Sequence, residues 1–422
     1  MVNHFNKSKS QKKIVVAMDS FKGSLTSLEA GNAVRDGILE RYPDVDVQIF
    51  PVADGGEGTV EALTFGKEHV QTRTIPVTGP VGTEVSARYT IYEQAGEKTA
   101  VLEMAQAAGL PLVPEERRNP MHTTTYGVGE MIRDAITCGC QKFILGIGGS
   151  ATNDAGIGML QALGFHFMDE AGREVGYGAE GLAQVRSITT EKVMPELASC
   201  TFQIACDVTN PLVGAQGCSA VFAPQKGADA KMVQAMDVAM NRYADIVENT
   251  YRKNPALMEN QLTGYDEADR NVEKNDRQSY DKNRMTPGAG AAGGLGYACL
   301  MFLHAALKPG IDIVLDEIQI AQAIKTADAV ITGEGRFDAQ TLMGKTPIGV
   351  ARIAKSYEVP VYAFAGCFGA DVQVCIDSGV FAGCYAASAA STEEEKRLAM
   401  EKRHAYANLK ACVKSHFCTE NN

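Results

Sequence analysis

VQTRTIPVTGPVGTEVSARYTIYEQAGEKTAVLEMA, residues 70–105, is where the pattern of the chain changes. Up to His69 strand and helix signals alternate; this stretch has no helical run at all. Val85, Ala87, Tyr89 and Ile91 alternate with Ser86, Arg88, Thr90 and Tyr92, the period of two that marks a half-buried strand. GPVG (79–82) and QAGE (94–97) are turn signals between strands. An antiparallel sheet therefore begins inside a chain whose flanks are built for parallel pairing, and residue 71 is expected to open an inserted domain.

The flanks carry the other half of the argument. KIVVAMD (13–19) is a short apolar run, and SLEAGNAVRDGILERY (27–42) places Leu28, Val34, Ile38 and Leu39 at near-helical spacing. DVQIFPVAD (46–54) and GTVEALTFG (58–66) repeat the strand–helix unit. Such alternation with short loops means a parallel sheet with right-handed crossovers. After the insertion opens, TTTYGVGEMIRDAITCG (123–139) reads as a helix. KFILGIGGSATNDAGIGMLQALGF (142–165) reads as strand, glycine turn and helix, and FQIACDVTNPL (202–212) as a strand ending in Asp207. Met232, Met236, Met240, Tyr243 and Val247 share one helical face. Residues 254–285 are polar and charged with few large apolar side chains, a surface insertion that can bury little area. Alternation then returns through PGAGAAGGLGYACLMFLHAAL (287–307), ADAVITGEG (327–335), VPVYAFAG (359–366) and GVFAGCYA (379–386). A final helix is expected to start at Ser391, with Glu394 completing a capping box, and to run toward Phe417. The expected fold is α/β with two domains. One is a parallel-sheet domain built from residues 1–70 and 286–422; the other is an inserted mixed-sheet domain, 71–285.

Composition narrows the function. The 422 residues carry 45% hydrophobic and 22% charged side chains, close to globular averages. A net charge of -11 argues against a nucleic-acid partner, which needs a basic face, but local donors can still hold a small anion. No apolar run approaches the roughly 18 residues that span a bilayer. MVNHFNKSKSQKK is basic without an apolar core behind it, which is not a secretory signal. The eleven cysteines contain no C-x2-C pair, a pattern that suits reduced, buried thiols in cytosol.

Chemistry collects in the loops after the strands: DSFKGS, ADGGEGT, GIGGSATNDAG, CDVTNP and TGEGRFDAQT. Ligands of open parallel sheets bind at these carboxyl edges, where glycine lets backbone N–H groups approach a phosphate and the next helix adds partial positive charge. Lys22 and Lys226 can neutralise phosphate or carboxylate oxygens. Asp19, Asp54, Glu57, Asp207, Glu334 and Asp338 are oxygen donors of the kind Mg2+ prefers. Together they fit magnesium-assisted phosphoryl transfer, although an Asp after a strand equally serves to cap the next helix. AQTLMGKT (339–346) is a near miss to a P-loop: Ala339 replaces the first glycine, no strand directly precedes it, and Pro347 fits the first turn of a helix. Gly288, Gly290 and Gly293 have G-x-G-x-x-G spacing, but the charged insertion stands where a strand is required. The seven histidines have no HExxH or triad context, and G-x-S-x-G is absent.

DSFKGSLTSLEA, VADGGEGTVEAL, NPMHTTTYGVGE, ILGIGGSATNDAGIGMLQALG, ACDVTNPL, FAPQKGA, PGAGAAGGLG and ITGEGRFDAQTLMGKTPIGVA occur in this order and resemble the motifs of the type I glycerate kinase family over nearly the whole chain. The resemblance implies a flavodoxin-like domain built from both chain ends and an inserted domain that resembles restriction endonucleases. It implies ATP-dependent, Mg2+-assisted phosphorylation of D-glycerate in the cytosol, usually at the 2-hydroxyl. Met18 stands where the family commonly has proline, and residues 254–285 exceed the family's usual linker. Oligomeric state is not legible.

On that resemblance Asp207 is the first candidate for general base and Asp19 its rival, with Lys22 stabilising the transferred phosphoryl group. Glu334 and Asp338 would hold Mg2+, with Asp54 and Glu57 as alternatives. Ser20, Gly23, Ser24, Gly148, Gly149, Ser150, Thr152, Asn153, Asp154, Asn210, Gln225, Lys226 and Lys345 would line the glycerate and phosphate pocket. Gly55, Gly56, Gly288, Gly290, Gly293 and Gly294 would border the nucleotide. A cleft that closes over the substrates would exclude water. Two other readings stay open: a kinase of another small hydroxy acid or sugar acid, and a ligand sensor without catalysis on the same scaffold.

Overall fold

The computed structural model describes residues 11–56, 58–253, 284–342, 344–388 and 401–417. The chain forms two compact units, Met1–Phe65 with Pro309–Asn422, and Gly66–Lys308. Glu57, most of the charged insertion and the helix start expected at Ser391 lie outside the described residues.

The first unit holds a five-stranded sheet in the order Gly383–Ala386, Val361–Ala365, Ala329–Gly333, Lys13–Met18, Asp46–Ile49, with every pair parallel. Numbered along the chain within this unit, the order is 2-1-3-4-5, one of the two common doubly wound arrangements. Ile14, Val16 and Met18 pack with Val34 and Ile38 of the helix Ser27–Arg41 and with Leu409 and Val413 of the helix Lys402–His416. Val15 and Ala17 pack with Ile311, Leu315, Val350 and Ala354. Both faces are covered, which is why KIVVAM is a continuous apolar run rather than an alternating one. The helix after DSFKGS is fixed by a capping box: Thr26 Oγ1 accepts from the Glu29 N–H at 3.2 Å, and the Glu29 carboxylate accepts from the Thr26 N–H at 2.9 Å. The last helix begins at Lys402, after Glu401 in extended conformation.

The second unit is a mixed six-stranded sheet in the order Ala306–Lys308, Thr201–Ala205, Lys142–Gly146, Glu97–Glu103, Glu84–Gln94, Glu68–Thr78. The first four strands are parallel and the last two antiparallel. The hairpin turns fall at the GPVG and QAGE signals. The division of the chain differs from 71–285 at both ends. The strand Glu68–Thr78 spans the expected start, and the strand Ala306–Lys308 pairs with Thr201–Ala205. The helix Ala291–Phe302, expected with the first domain, buries Leu295, Tyr297, Ala298 and Phe302 in the second unit's core. Met236, Met240, Tyr243 and Val247 of the helix Ala230–Lys253 are buried in the same unit. Among the described residues no helix is long and apolar enough to cross a membrane, and every cysteine is a free thiol.

Candidate active site

In the first unit the strands Lys13–Met18 and Ala329–Gly333 lie side by side at the point where strand order reverses, and their loops carry Asp19 and Glu334. The Asp19 N–H donates to the Gly333 carbonyl at 2.9 Å, which ties the two loops together. Gly333 has no alternative there: a Cβ would fall 1.7 Å from the Phe364 carbonyl oxygen. The Asp19 carboxylate is 8% exposed and accepts from Thr346 Oγ1 at 2.6 Å and from the Ser20 N–H at 2.6 Å. Burial pushes its pKa up to about 7; the Thr346 and Ser20 bonds oppose this, while the neighbouring charges of Asp54 and Glu334 add to it. Glu334 is buried, accepts from Thr341 Oγ1 at 2.6 Å and lies 3.4 Å from Lys345 Nζ. Burial raises its pKa as well, opposed by Thr341 and Lys345.

The loop between Asp19 and the capped helix is a tight turn. Phe21 and Leu25 exchange backbone hydrogen bonds at 2.8 and 3.0 Å, and Gly23 at φ 73° turns the corner with open space where a side chain would stand. Lys22 is exposed. The Ser20 and Ser24 hydroxyl oxygens are buried without a hydrogen-bond partner, the state of groups whose acceptor or donor belongs to a ligand or ordered water. The Asp54 carboxylate caps the Gly56 N–H at 3.2 Å. Asp338 caps the Gln340 N–H at 3.0 Å and sits 3.4 Å from Arg336 Nε.

In the second unit a buried cation organises the loop after the strand Lys142–Gly146. Lys226 is 2% exposed; its Nζ donates to Ser150 Oγ at 2.8 Å and to the Thr152 carbonyl at 2.7 Å. Burial pulls its pKa down to about 8, against Cys218 and Asp154, which favour the charged form. Occupied by the lysine as acceptor, the Ser150 hydroxyl is left to donate its own proton. Gly148 has open space beside it. Asp154 serves a different purpose: fully buried, it accepts from the Thr125 N–H and Oγ1 at 2.9 and 2.8 Å and from the Gly156 N–H at 3.1 Å. Asn153 Nδ2 donates to Ser219 Oγ at 2.9 Å. These two side chains hold loops together, while Asn153 Oδ1 and Thr152 Oγ1 are buried without a hydrogen-bond partner, like the Ser20 and Ser24 hydroxyls.

The glycines of GAGAAGG are explained by packing. A Cβ on Gly290 would fall 2.2 Å from the Pro211 carbonyl oxygen, and on Gly293 2.1 Å from that of Thr152; on Gly294 it would lie 2.9 Å from the Ala155 Cα. Gly288 would meet Leu307 at 2.8 Å. They lock this loop against the loops at Thr152 and Asn210, whose backbone carbonyl accepts from the Gly290 N–H at 2.9 Å. Asn210 Nδ2 donates to the Gln216 carbonyl at 2.8 Å. Asp207 and Gln225 are exposed. Thr341 and Thr346, which hold the two buried carboxylates, and Thr125, which holds Asp154, are the residues sequence reasoning passed over. All three stood in quoted motifs, but a threonine in a polar loop, beside a lysine or in a threonine run carries no chemical signal of its own. Among the described residues no three His, Cys, Asp or Glu side chains converge as a metal cage.

A doubly wound sheet whose carboxyl edge gathers buried acids, a lysine and a glycine turn is the arrangement of an α/β protein that binds small ligands at its switch point, and its likeness to known proteins makes it a phosphotransferase. The model of the family described as "Glycerate kinase family" matches residues 14–417. The chain is 45% identical to the glycerate kinase of Haemophilus influenzae, over 87% of this chain and 89% of the relative. It is 43% identical to the glycerate 2-kinase of Escherichia coli K12, over 87% and 88%. The crystal structure of a protein assigned as glycerate kinase 2 in Salmonella typhimurium LT2 is similar with a TM-score of 0.77 at 39% identity, covering 96% of this chain and 99% of that one. The chain belongs to the glycerate kinase family. A kinase of this family implies ATP as co-substrate.

Proposed function

We propose that this chain transfers the γ-phosphoryl group of ATP to the 2-hydroxyl of D-glycerate in the cytosol, with Asp19 taking the hydroxyl proton. The observation that carries the reading is the state of Asp19. Burial, the largest cause, raises the Asp19 pKa to about 7 in the metal-free chain, which favours this carboxylate as a proton acceptor, whereas Asp207 stands exposed after its strand. Asp19 therefore displaces Asp207 as the favoured base. The 2-hydroxyl is favoured by the name of the Escherichia coli relative.

Lys22, with the Ser20 and Ser24 hydroxyls and the backbone turned by Gly23, is assigned to phosphate oxygens, and Lys345 to charge balance beside Glu334. Lys226 and the donor it presets at Ser150, beside Gly148 and Gly149, are assigned to an anionic oxygen of substrate. Mg2+ fits the first unit: the charges of Asp54 and Glu334 raise the proton affinity of Asp19, a repulsion among hard-oxygen carboxylates that a divalent cation relieves. Asp54 and Glu334 would hold it, with Asp338 beside them, and the bound ion would neutralise charge on the phosphates. The remaining ligands would be water and phosphate oxygens, as is usual for this ion.

The test is a coupled ADP-release assay on D-glycerate, tartronate and glycolate, followed by phosphorus NMR of the D-glycerate product. The reading predicts selective turnover of D-glycerate and a 2-phosphoglycerate resonance. Preference for another acid, binding without ADP release, or 3-phosphoglycerate as product would contradict it.

A further inference from the structure

The second unit contains a cavity of about 430 Å³ that none of the reaction residues lines. Its wall is built by Tyr126 at the start of one helix, Gln161 in the next, His166 on a short strand, and the returning segment Glu174–Tyr177. The volume is in the range of small-ligand sites and many times the roughly 30 Å³ a water occupies.

The wall has a definite sign. The rings of Tyr126 and Tyr177 lie 5.4 Å apart, tilted at 52°, and offer π faces. His166 Nδ1 is 2.8 Å from Glu174 Oε2. An ionised carboxylate can only accept, so Nδ1 carries the proton and, in the neutral ring, Nε2 is an acceptor. Gln161 Nε2 donates to the Val175 carbonyl at 3.1 Å, which fixes the amide so that Oε1 is its remaining acceptor. Both atoms, His166 Nε2 and Gln161 Oε1, are buried without a hydrogen-bond partner. Burial raises the Tyr177 pKa, helped by Tyr126 and by the charges of Glu130 and Glu174. Being buried, His166 Nε2 and Gln161 Oε1 do not face the open space; the cavity itself offers the Glu174 carboxylate and the aromatic faces.

We propose that the cavity lined by Tyr126, Gln161, His166, Glu174 and Tyr177 is a second binding site, for a small organic cation. Its charge is balanced by Glu174, and its body packs on the tyrosines, where a cation over a π face gains further attraction. D-Glycerate and ATP are anions and are disfavoured by the same carboxylate.

Benzamidinium and benzoate, similar in shape and opposite in charge, are the probes. Titration calorimetry on the full chain is expected to show benzamidinium binding and no benzoate binding. Glu174→Gln and Tyr177→Ala should each weaken benzamidinium about tenfold, through lost charge and lost π contact respectively. Thermal melts establish that each variant is folded; if Tyr177→Ala is not, Glu174→Gln, which keeps the side chain's shape, decides alone. Absence of benzamidinium binding, equal binding of benzoate, or benzamidinium affinity unchanged in folded Glu174→Gln would overturn the proposal.

Discussion

Asp19 shows how one buried carboxyl links stability to chemistry. Its pKa moves from 3.8 to about 7 on folding, so the native state holds the proton more tightly than the unfolded chain. The stability this contributes is complete below about pH 4 and is lost as pH rises through 7. Asparagine cannot ionise and suffers no such loss, so Asp19→Asn is predicted to be more stable than the parent. In EDTA the gap in Tm should widen from pH 5 to pH 8, toward an upper bound of a few kcal/mol at about 1.4 kcal/mol per pKa unit. A gap that does not change with pH would show that Asp19 ionises normally. Asp154 is the contrasting case. It too is buried and raised by desolvation, but it is held by more donors, the Thr125 N–H and Oγ1 and the Gly156 and Gly158 N–H groups, where among the described residues Asp19 accepts only from Ser20 and Thr346. A GGSATND loop gives no means of telling an aspartate that meets substrate from one that braces the next turn, since that depends on which neighbours fold back onto it.

At the scale of elements, glycines that look alike in sequence separate by what surrounds them. Gly23 and Gly293 both have φ near 70°, which costs an alanine roughly 1–2 kcal/mol. A Cβ added at Gly23 would meet no atom within 4 Å, whereas at Gly293 the Thr152 carbonyl oxygen would lie 2.1 Å away. Gly23→Ala should therefore lower Tm by a few degrees, and Gly293→Ala by far more or to the point of insolubility; thermal melts of the two side by side check this. Strands were legible because their signals are local: KIVVAM, the strand through Val85–Ile91 and the GPVG and QAGE turns found their places, but the alternation holds only at its start, since Thr90 and Tyr92, read as the outer face, are buried. The end of the insertion was not. Residues 287–307 read as a glycine turn and helix, and it is the burial of Leu295, Tyr297 and Phe302 and the pairing of Ala306–Lys308 with Thr201–Ala205 that assign them to the second unit. Partner choice between distant strands leaves no mark at either site alone. Likewise the close approach of the GAGAAGG glycines to the loops at Thr152 and Pro211 leaves no local signal.

At the scale of the molecule, the first unit depends on both chain ends. The helix Lys402–His416 lies against Ser27–Arg41, burying Leu409, Val413 and Phe417. Tyr406 donates to the Asp36 carboxylate at 2.7 Å, and Lys410 and Lys414 pair with Glu40 at 2.6 and 3.0 Å. Those exposed pairs contribute little each; the buried side chains, at roughly 1.5–3 kcal/mol apiece, dominate. Truncation before Lys402 is expected to remove the soluble folded chain, and a truncated chain with an unchanged circular dichroism melt would refute that dependence. The most direct measurement of the account is turnover of D-glycerate by Asp19→Asn beside Asp207→Asn under saturating ATP and Mg2+. The account predicts that Asp19→Asn, though folded, loses at least about 100-fold while Asp207→Asn retains the greater activity. Near-normal turnover by Asp19→Asn would contradict it.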